Sequence, residues 1–291
     1  MGASQRAPGL MADWLNGWLA ALGITVLLPD ARLCFTREAE TVAVVELNGE
    51  PRLEEALARA LPSRDTLDAL SIAKPRIART VLIDVYREAA VVARARSDFS
   101  LASSVTDLST SEDNKELSHS PFDPPAPRGE TLWTRLVRCR EALGEGEALL
   151  ASIEASLAGR GARIDANGLG FDYRRIPAAA LGSGQIRVDP VVECLAFYGL
   201  ALFPVRGDGR RPFTRGWRWD PDARRARFFW PTWREPLDRF GVDALLGALY
   251  AGDLERRSLS RLGIEALYEA VPYQATGSAD VTRGFASRRV R

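Results

Sequence analysis

The sequence predicts an α+β fold in two lobes, mixed helices with small sheets, and three observations carry that expectation. Of its 291 residues 46% are hydrophobic and 26% charged, the balance of a globular chain, and at this length roughly three-quarters of the unfolded surface can be buried. Helical and strand patterns alternate irregularly along it: helix, strands and helices, then helix, strand, hairpin and helices. Between those runs lies Ser97–Glu130, rich in Ser, Thr, Asp and Pro and longer than compact domains usually accept as a loop. The expected organisation is therefore an N-terminal α+β lobe over 1–96, a polar loop or linker over 97–130, and a C-terminal α+β lobe with a basic hairpin over 131–291.

Each element has a local reason. Leu15, Trp18, Leu19 and Leu22 follow the spacing of a core stripe, which predicts a buried helix over Ala12–Leu22 with Gly23 as its C-cap. A strand over Ile24–Leu28 follows, stopped by Pro29-Asp30. The run Leu10–Leu28 is not a membrane span, because Asp13, Asn16, Gly17 and Gly23 interrupt it. Strands are expected over Arg32–Thr36 and Thr41–Leu47, with Asn48-Gly49 as a turn. Arg52–Leu61, Thr66–Ile72 and Ile77–Arg96 read as helices.

After the polar segment, a helix is expected over Thr131–Leu157, with Gly144 and Gly146 able to break it. Asp189-Pro190 places a cap and a first-turn proline before a helix over Val191–Tyr198. Leu200–Val205 reads as a buried strand. Pro212–Trp219 and Arg225–Trp230 flank Asp220-Pro221-Asp222, a hairpin turn signal. Helices over Asp238–Tyr250 and Leu254–Glu269 close the core, and the basic tail Val281–Arg291 is expected to be loosely held. Trp14, Trp18 and Phe35 are alternative candidates for an interface.

Composition excludes several chemistries. His119 is the only histidine, so paired-His metal sites and HExxH helices cannot exist. Cys34, Cys139 and Cys194 are far apart and form no CxxC, which fits a reducing cytoplasm and excludes a zinc knuckle. Lys74 and Lys115 are the only lysines and neither completes GxxxxGK, so a P-loop is absent. No GxSxG occurs, and Gly168-Leu169-Gly170 lacks the third glycine of a dinucleotide loop. Asp172 and Asp189 join no recognisable carboxylate cluster. The expectation is a non-enzyme without metal or cofactor.

Charge is where the sequence is most informative. Net charge is +1, yet residues 171–291 hold 20 arginines and 14 acids, which makes the C-terminal part the basic one. Ten arginines fall within Arg206–Arg239, interleaved with Phe213, Trp217, Trp219, Phe228, Phe229, Trp230 and Trp233. Guanidinium groups neutralise phosphates and aromatic faces stack on unpaired bases, so this mixture suits a nucleic-acid surface. The competing reading is a hairpin whose aromatics fill the core. Strand alternation puts Phe213, Trp217 and Trp219 on one face, favouring the core for both tryptophans. The expected contact residues are Arg206, Arg210, Arg211, Arg215, Arg218, Arg224, Arg225 and Arg227. Arg206, Arg210 and Arg211, beside Gly207 and Gly209, lead that set.

Three segments resemble one protein family, in order. LNGWLAALGITVLLPDARLCFT (15–36) is similar to a "PLxFLAALG" opening followed by "xARLxW". SPFDPPAPRGETLWTRL (120–136) is similar to "SPFDFxxGxxxFLxxL". VDPVVECLAFYGLALFPVRGDG (188–209), Gly216-Trp217 and FFWPTWREPL (228–237) are similar to "EwLAfxGLxxFPV…GW…FxWPxWxxPL". The family is the large-subunit group of type I-G CRISPR–Cas effector complexes, of which this would be a short form. The opening proline is absent here, and Pro124-Pro125 replaces the aromatic after SPFD. The resemblance implies a cytoplasmic subunit of an RNA-guided antiviral complex. Its implied partners are target DNA, guide RNA within the complex, other CRISPR-associated subunits and a separate helicase–nuclease, with no membrane. It implies help in recognising the flanking motif, where loop arginines can read guanine edges, and in holding opened strands. It also implies that the second half of 97–130 docks onto the core. The alternative is a structural interaction subunit that contacts guide RNA or acidic protein partners without reading DNA.

Overall fold

The computed structural model describes residues 3–37, 40–49, 52–65, 67, 105–106, 118–122, 132–166, 168–169, 187–207, 212–220, 225–252, 256–274 and 282–291. In chain order the elements are β1 (Ala3–Met11), α1 (Leu15–Leu27), β2 (Arg32–Arg37), β3 (Thr41–Leu47), α2 (Leu53–Ala60), β4 (Val105–Thr106), β5 (Ser118–His119), α3 (Leu132–Glu141) and α4 (Glu147–Leu157). There follow β6 (Ile164–Asp165), β7 (Arg187–Val188), α5 (Pro190–Gly199), β8 (Arg206–Gly207), β9 (Pro212–Phe213), β10 (Trp217–Asp220), β11 (Arg225–Trp233), α6 (Arg239–Ala251), α7 (Arg256–Arg261), β12 (Ile264–Gln274) and β13 (Thr282–Arg289). The fold is α+β. Among the described residues a three-stranded antiparallel sheet has the order β1-β3-β2, a four-stranded one β10-β11-β12-β13, and β4-β5, β6-β7 and β8-β9 form short two-stranded pairs.

The helix α1 is buried from Leu15 through Thr25, as a helix apolar on all sides must be. It crosses α5, itself buried throughout, and glycines permit the approach. A Cβ on Gly23 would lie 1.9 Å from the Leu195 carbonyl oxygen, and one on Gly199 2.1 Å from that of Leu19. Gly23 is therefore not a C-cap. The helix continues through it to Leu27, over most of the segment expected as the strand Ile24–Leu28, because the glycine is spent on a close contact.

Both sheets meet this helix pair. The aromatic side chains of Trp18, Phe122, Phe203, Phe228 and Trp230 form one cluster, with Phe122 and Phe228 centroids 4.8 Å apart, and Phe35 meets Trp233 edge-on at 4.9 Å. Buried indole N–H groups need acceptors. That of Trp18 donates to the Pro231 carbonyl at 2.8 Å, that of Trp230 to Ala12 at 2.8 Å, and that of Trp233 to Leu33 at 2.9 Å. Leu33 and Leu237 also exchange backbone hydrogen bonds. Trp18 and Phe35 are thus core residues, and the core joins residues from both sides of 97–130. Within that segment Val105–Thr106 pairs with Ser118–His119, and Phe122 is fully buried.

Several expectations hold. The strands at 32 and 41 form, and the helix after 131 breaks at Gly144 and Gly146, both at positive φ. Asp189 caps α5, accepting from the Val191 and Val192 amides. The hairpin across Asp220–Arg225 pairs Trp217 with Phe228. Others are corrected. Leu200–Leu202 is a 3₁₀ turn, not a strand. Leu254–Glu269 is not one helix: after α7, Gly263 (φ 70°) turns the chain into β12. The basic tail is the edge strand β13, paired with β12 from Tyr268↔Arg289 to Gln274↔Thr282. Residues 77–96, and the rest of the helix expected over Thr66–Ile72 after Leu67, lie outside the described residues.

Candidate nucleic-acid interface

Strand β8 reverses into β9 and sets Arg206 opposite Phe213. The Thr214 hydroxyl donates to the Phe203 and Pro204 carbonyls at 3.0 and 3.2 Å, fixing the chain as it leaves the hairpin. Gly216 then turns at φ 87°, where a Cβ would strike the Phe228 ring, and this resets the alternation between Phe213 and Trp217. Phe213 is consequently 46% exposed rather than in the core. Trp217 packs against Phe122 and Phe228. Trp219, two residues on, passes the end of the cluster and is 66% exposed.

Facing the hairpin is the first turn of α6. Asp238 caps it by accepting from the Gly241 amide at 2.7 Å, which projects Arg239 and Phe240 from the helix start. Phe240 is out of phase with the buried stripe Val242, Leu245, Leu246 and Leu249, so it is 74% exposed. The Arg239 guanidinium lies 5.3 Å above its ring, a cation–π distance. Between hairpin and helix runs a groove of about 820 Å³, lined by Arg206, Phe213, Arg215, Arg239, Phe240 and Asp243 among others. Arg206 is exposed. Arg215 donates to the Asp243 carboxylate at 2.5 Å and to its carbonyl at 3.2 Å, tying the loop before β10 to α6. Tyr250 seals the floor by donating to the Phe229 carbonyl, and burial pushes its phenol well above the usual range.

The arginines expected to act together therefore do different things. Arg206 and Arg215 share the groove. Arg218 donates to the Gly252 carbonyl at 2.9 Å. Arg227 reaches Glu269 at 3.2 Å, and Arg288 bonds the same carboxylate from the other side. Arg225 belongs to β11 with its side chain outside the described set, and Arg210, Arg211 and Arg224 lie outside the described residues. Sequence reasoning passed over Arg239 and Phe240 as site residues. The signal was present: Asp238 as an N-cap, with an aromatic out of step with the apolar stripe behind it.

Other candidates resolve into structure. Gly168 turns at φ 53° so that the Leu169 amide donates to Glu193 at 2.5 Å, which makes this turn a clamp on a buried carboxylate. Burial raises the Asp189 carboxyl, although Ser156 and two backbone amides pull it down. The three cysteines are free and buried, and burial pushes the Cys34 thiol up to about 11. Among the described residues no group of His, Cys, Asp and Glu is arranged to hold a metal, and no helix is long and apolar enough to cross a membrane. Asp172 lies outside the described residues. No protein-family model, curated protein or solved structure matches the chain.

Proposed function

We propose that this chain is a non-catalytic nucleic-acid-binding subunit of an RNA-guided CRISPR surveillance complex in the cytoplasm. In that role it helps recognise the flanking motif of target duplex DNA, holds opened strands, and recruits a separate helicase–nuclease. The observation that carries the reading is the exposed Arg206, set opposite Phe213 on a short hairpin and facing Arg239 and Phe240 across the groove. Arginine paired with exposed aromatic surface is the chemistry of phosphate and base contact. The three ordered motif resemblances supply the rest. Arg210 and Arg211 fall between β8 and β9 in the sequence and are the candidates for reading base edges.

Replacing Arg206, Arg210 and Arg211 together by Glu tests this. DNA loading of the assembled complex at fixed salt is abolished while its subunits still co-purify. Unchanged DNA affinity overturns the assignment. A second reading is favoured by the arginines already bonded to other parts of the chain, Arg215, Arg218 and Arg227. On that reading the chain is a structural interaction subunit that contacts guide RNA or acidic protein partners, and the same triple replacement breaks assembly while target-DNA affinity stays unchanged.

A further inference from the structure

The groove between the β8–β9 hairpin and α6 is concave, and concavity constrains its ligand. Sequence reading of duplex DNA is done by protruding elements that enter the major groove, such as a helix or a two-stranded ribbon. A recess does the reverse and takes a group that protrudes from the ligand. At about 820 Å³ the recess lies within the range of roughly 300–1,000 Å³ typical of small-ligand sites, too small to admit a double helix. Its charge is one-sided, with Arg206, Arg215 and Arg239 against Asp243, the last already paired with Arg215. Its apolar lining combines aliphatic groups such as Val26, Leu27 and Leu202 with aromatic ones, and two of the aromatics are uncovered: Phe240 is 74% and Phe213 46% exposed. A planar, anionic ligand satisfies both features.

We infer that this groove holds an unpaired nucleotide of a single strand, its base against Phe240 and Phe213 and its flanking phosphates on Arg206 and Arg239. The inference rests on the nucleic-acid reading above and adds the ligand form and the two aromatic contacts. Arg239 lies over the Phe240 ring in the structure described, so a base that stacks there displaces the guanidinium toward the adjoining phosphate. Arg215, locked to Asp243, keeps the groove wall in place and contributes charge rather than a moving contact. Phe240 acts through its π-face, which every base can use, so binding is tolerant of sequence.

The test measures anisotropy of the full chain with a fluorescein-labelled oligothymidylate of about ten nucleotides, in the range of single-strand site sizes. A duplex of the same length and polyglutamate serve as competitors. Phe240→Ala is expected to weaken the single strand by about 5- to 150-fold, with the salt slope unchanged and with Phe240→Trp restoring affinity. Arg206→Gln is expected to make the slope of log affinity against log salt shallower by about 0.7, one phosphate contact. Duplex and polyglutamate compete poorly. Phe240 is exposed, so its replacement tests binding rather than folding, and circular dichroism checks that directly. If Phe240→Ala leaves affinity unchanged while Arg206→Gln weakens it, the stacking inference fails and the nucleic-acid reading stands. If duplex or polyglutamate competes as well as the single strand, the groove reads charge alone and the inference fails. If the chain binds neither single strand nor duplex, the inference and the nucleic-acid reading fail together.

Discussion

At the scale of single residues, Gly23 and Gly247 make opposite predictions from the same residue type. A Cβ on Gly23 meets backbone oxygen at 1.9 Å, whereas nothing lies within 4 Å of one on Gly247 in α6. Gly23→Ala is expected to cost about 1–3 kcal/mol by overpacking. Gly247→Ala is expected to stabilise by about 0.5–1 kcal/mol, because Ala has the better helix propensity. Urea denaturation of the two variants checks both signs. Asp189 carries a pH prediction. Burial holds its carboxyl above the ordinary 3.8, so the native state binds its proton more tightly than the unfolded chain. That contribution is complete below the unfolded value and is lost as pH rises through the raised native value. Asp189→Asn keeps a capping oxygen, and its stability relative to wild type is expected to improve as pH increases from about 4. Asp189→Ala loses the cap and is expected to cost about 1–2 kcal/mol. Thermal melts across a pH series measure each.

At the scale of elements, the arginines of the hairpin and of the sheet part company. Glu269 is 2% exposed, between Arg227 on β11 and Arg288 on β13, so Arg227 is committed to holding three strands together. Arg227→Gln is expected to lower stability by about 1.5–3 kcal/mol, the worth of a charged hydrogen bond, with nucleic-acid affinity unchanged. Arg206→Gln is expected to do the reverse. Parallel denaturation and binding titrations separate the two roles. The same elements mark what was legible in the sequence. Asp189-Pro190 and Gly144 with Gly146 act through near neighbours, and each does what its local chemistry dictates. Gly23 does not, because a C-cap glycine and a close-contact glycine look alike until Leu195 and Gly199 are placed against it. Strand β12 was missed for the same reason: IEALYEAV carries helix formers, and only pairing with β11 and β13 makes it a strand. In the candidate site, Arg206 was legible from its loop glycines and its charge. Trp219 was assigned to the wrong environment: alternation placed it on the core face with Trp217, but it is 66% exposed.

At the scale of the whole molecule, elements from both ends of the sequence share one core. The indole hydrogen bonds of Trp18, Trp230 and Trp233 lock the helix pair and the N-terminal strands to the large sheet, and this rigid body holds the β8–β9 hairpin against α6. The arginine-rich groove therefore sits on a fixed frame, as the contact proposed for it requires. Along the sequence the basic residues are concentrated in 171–291 and the acidic excess in 1–170, and the core draws on both segments. The central claim is membership of an RNA-guided complex. The most direct measurement is purification of the tagged full chain from its native host, with mass spectrometry of the proteins and extraction of the nucleic acid that accompany it. The account predicts a short guide RNA of uniform length together with several CRISPR-associated subunits. Recovery of the chain alone, or with unrelated proteins and no RNA, contradicts it.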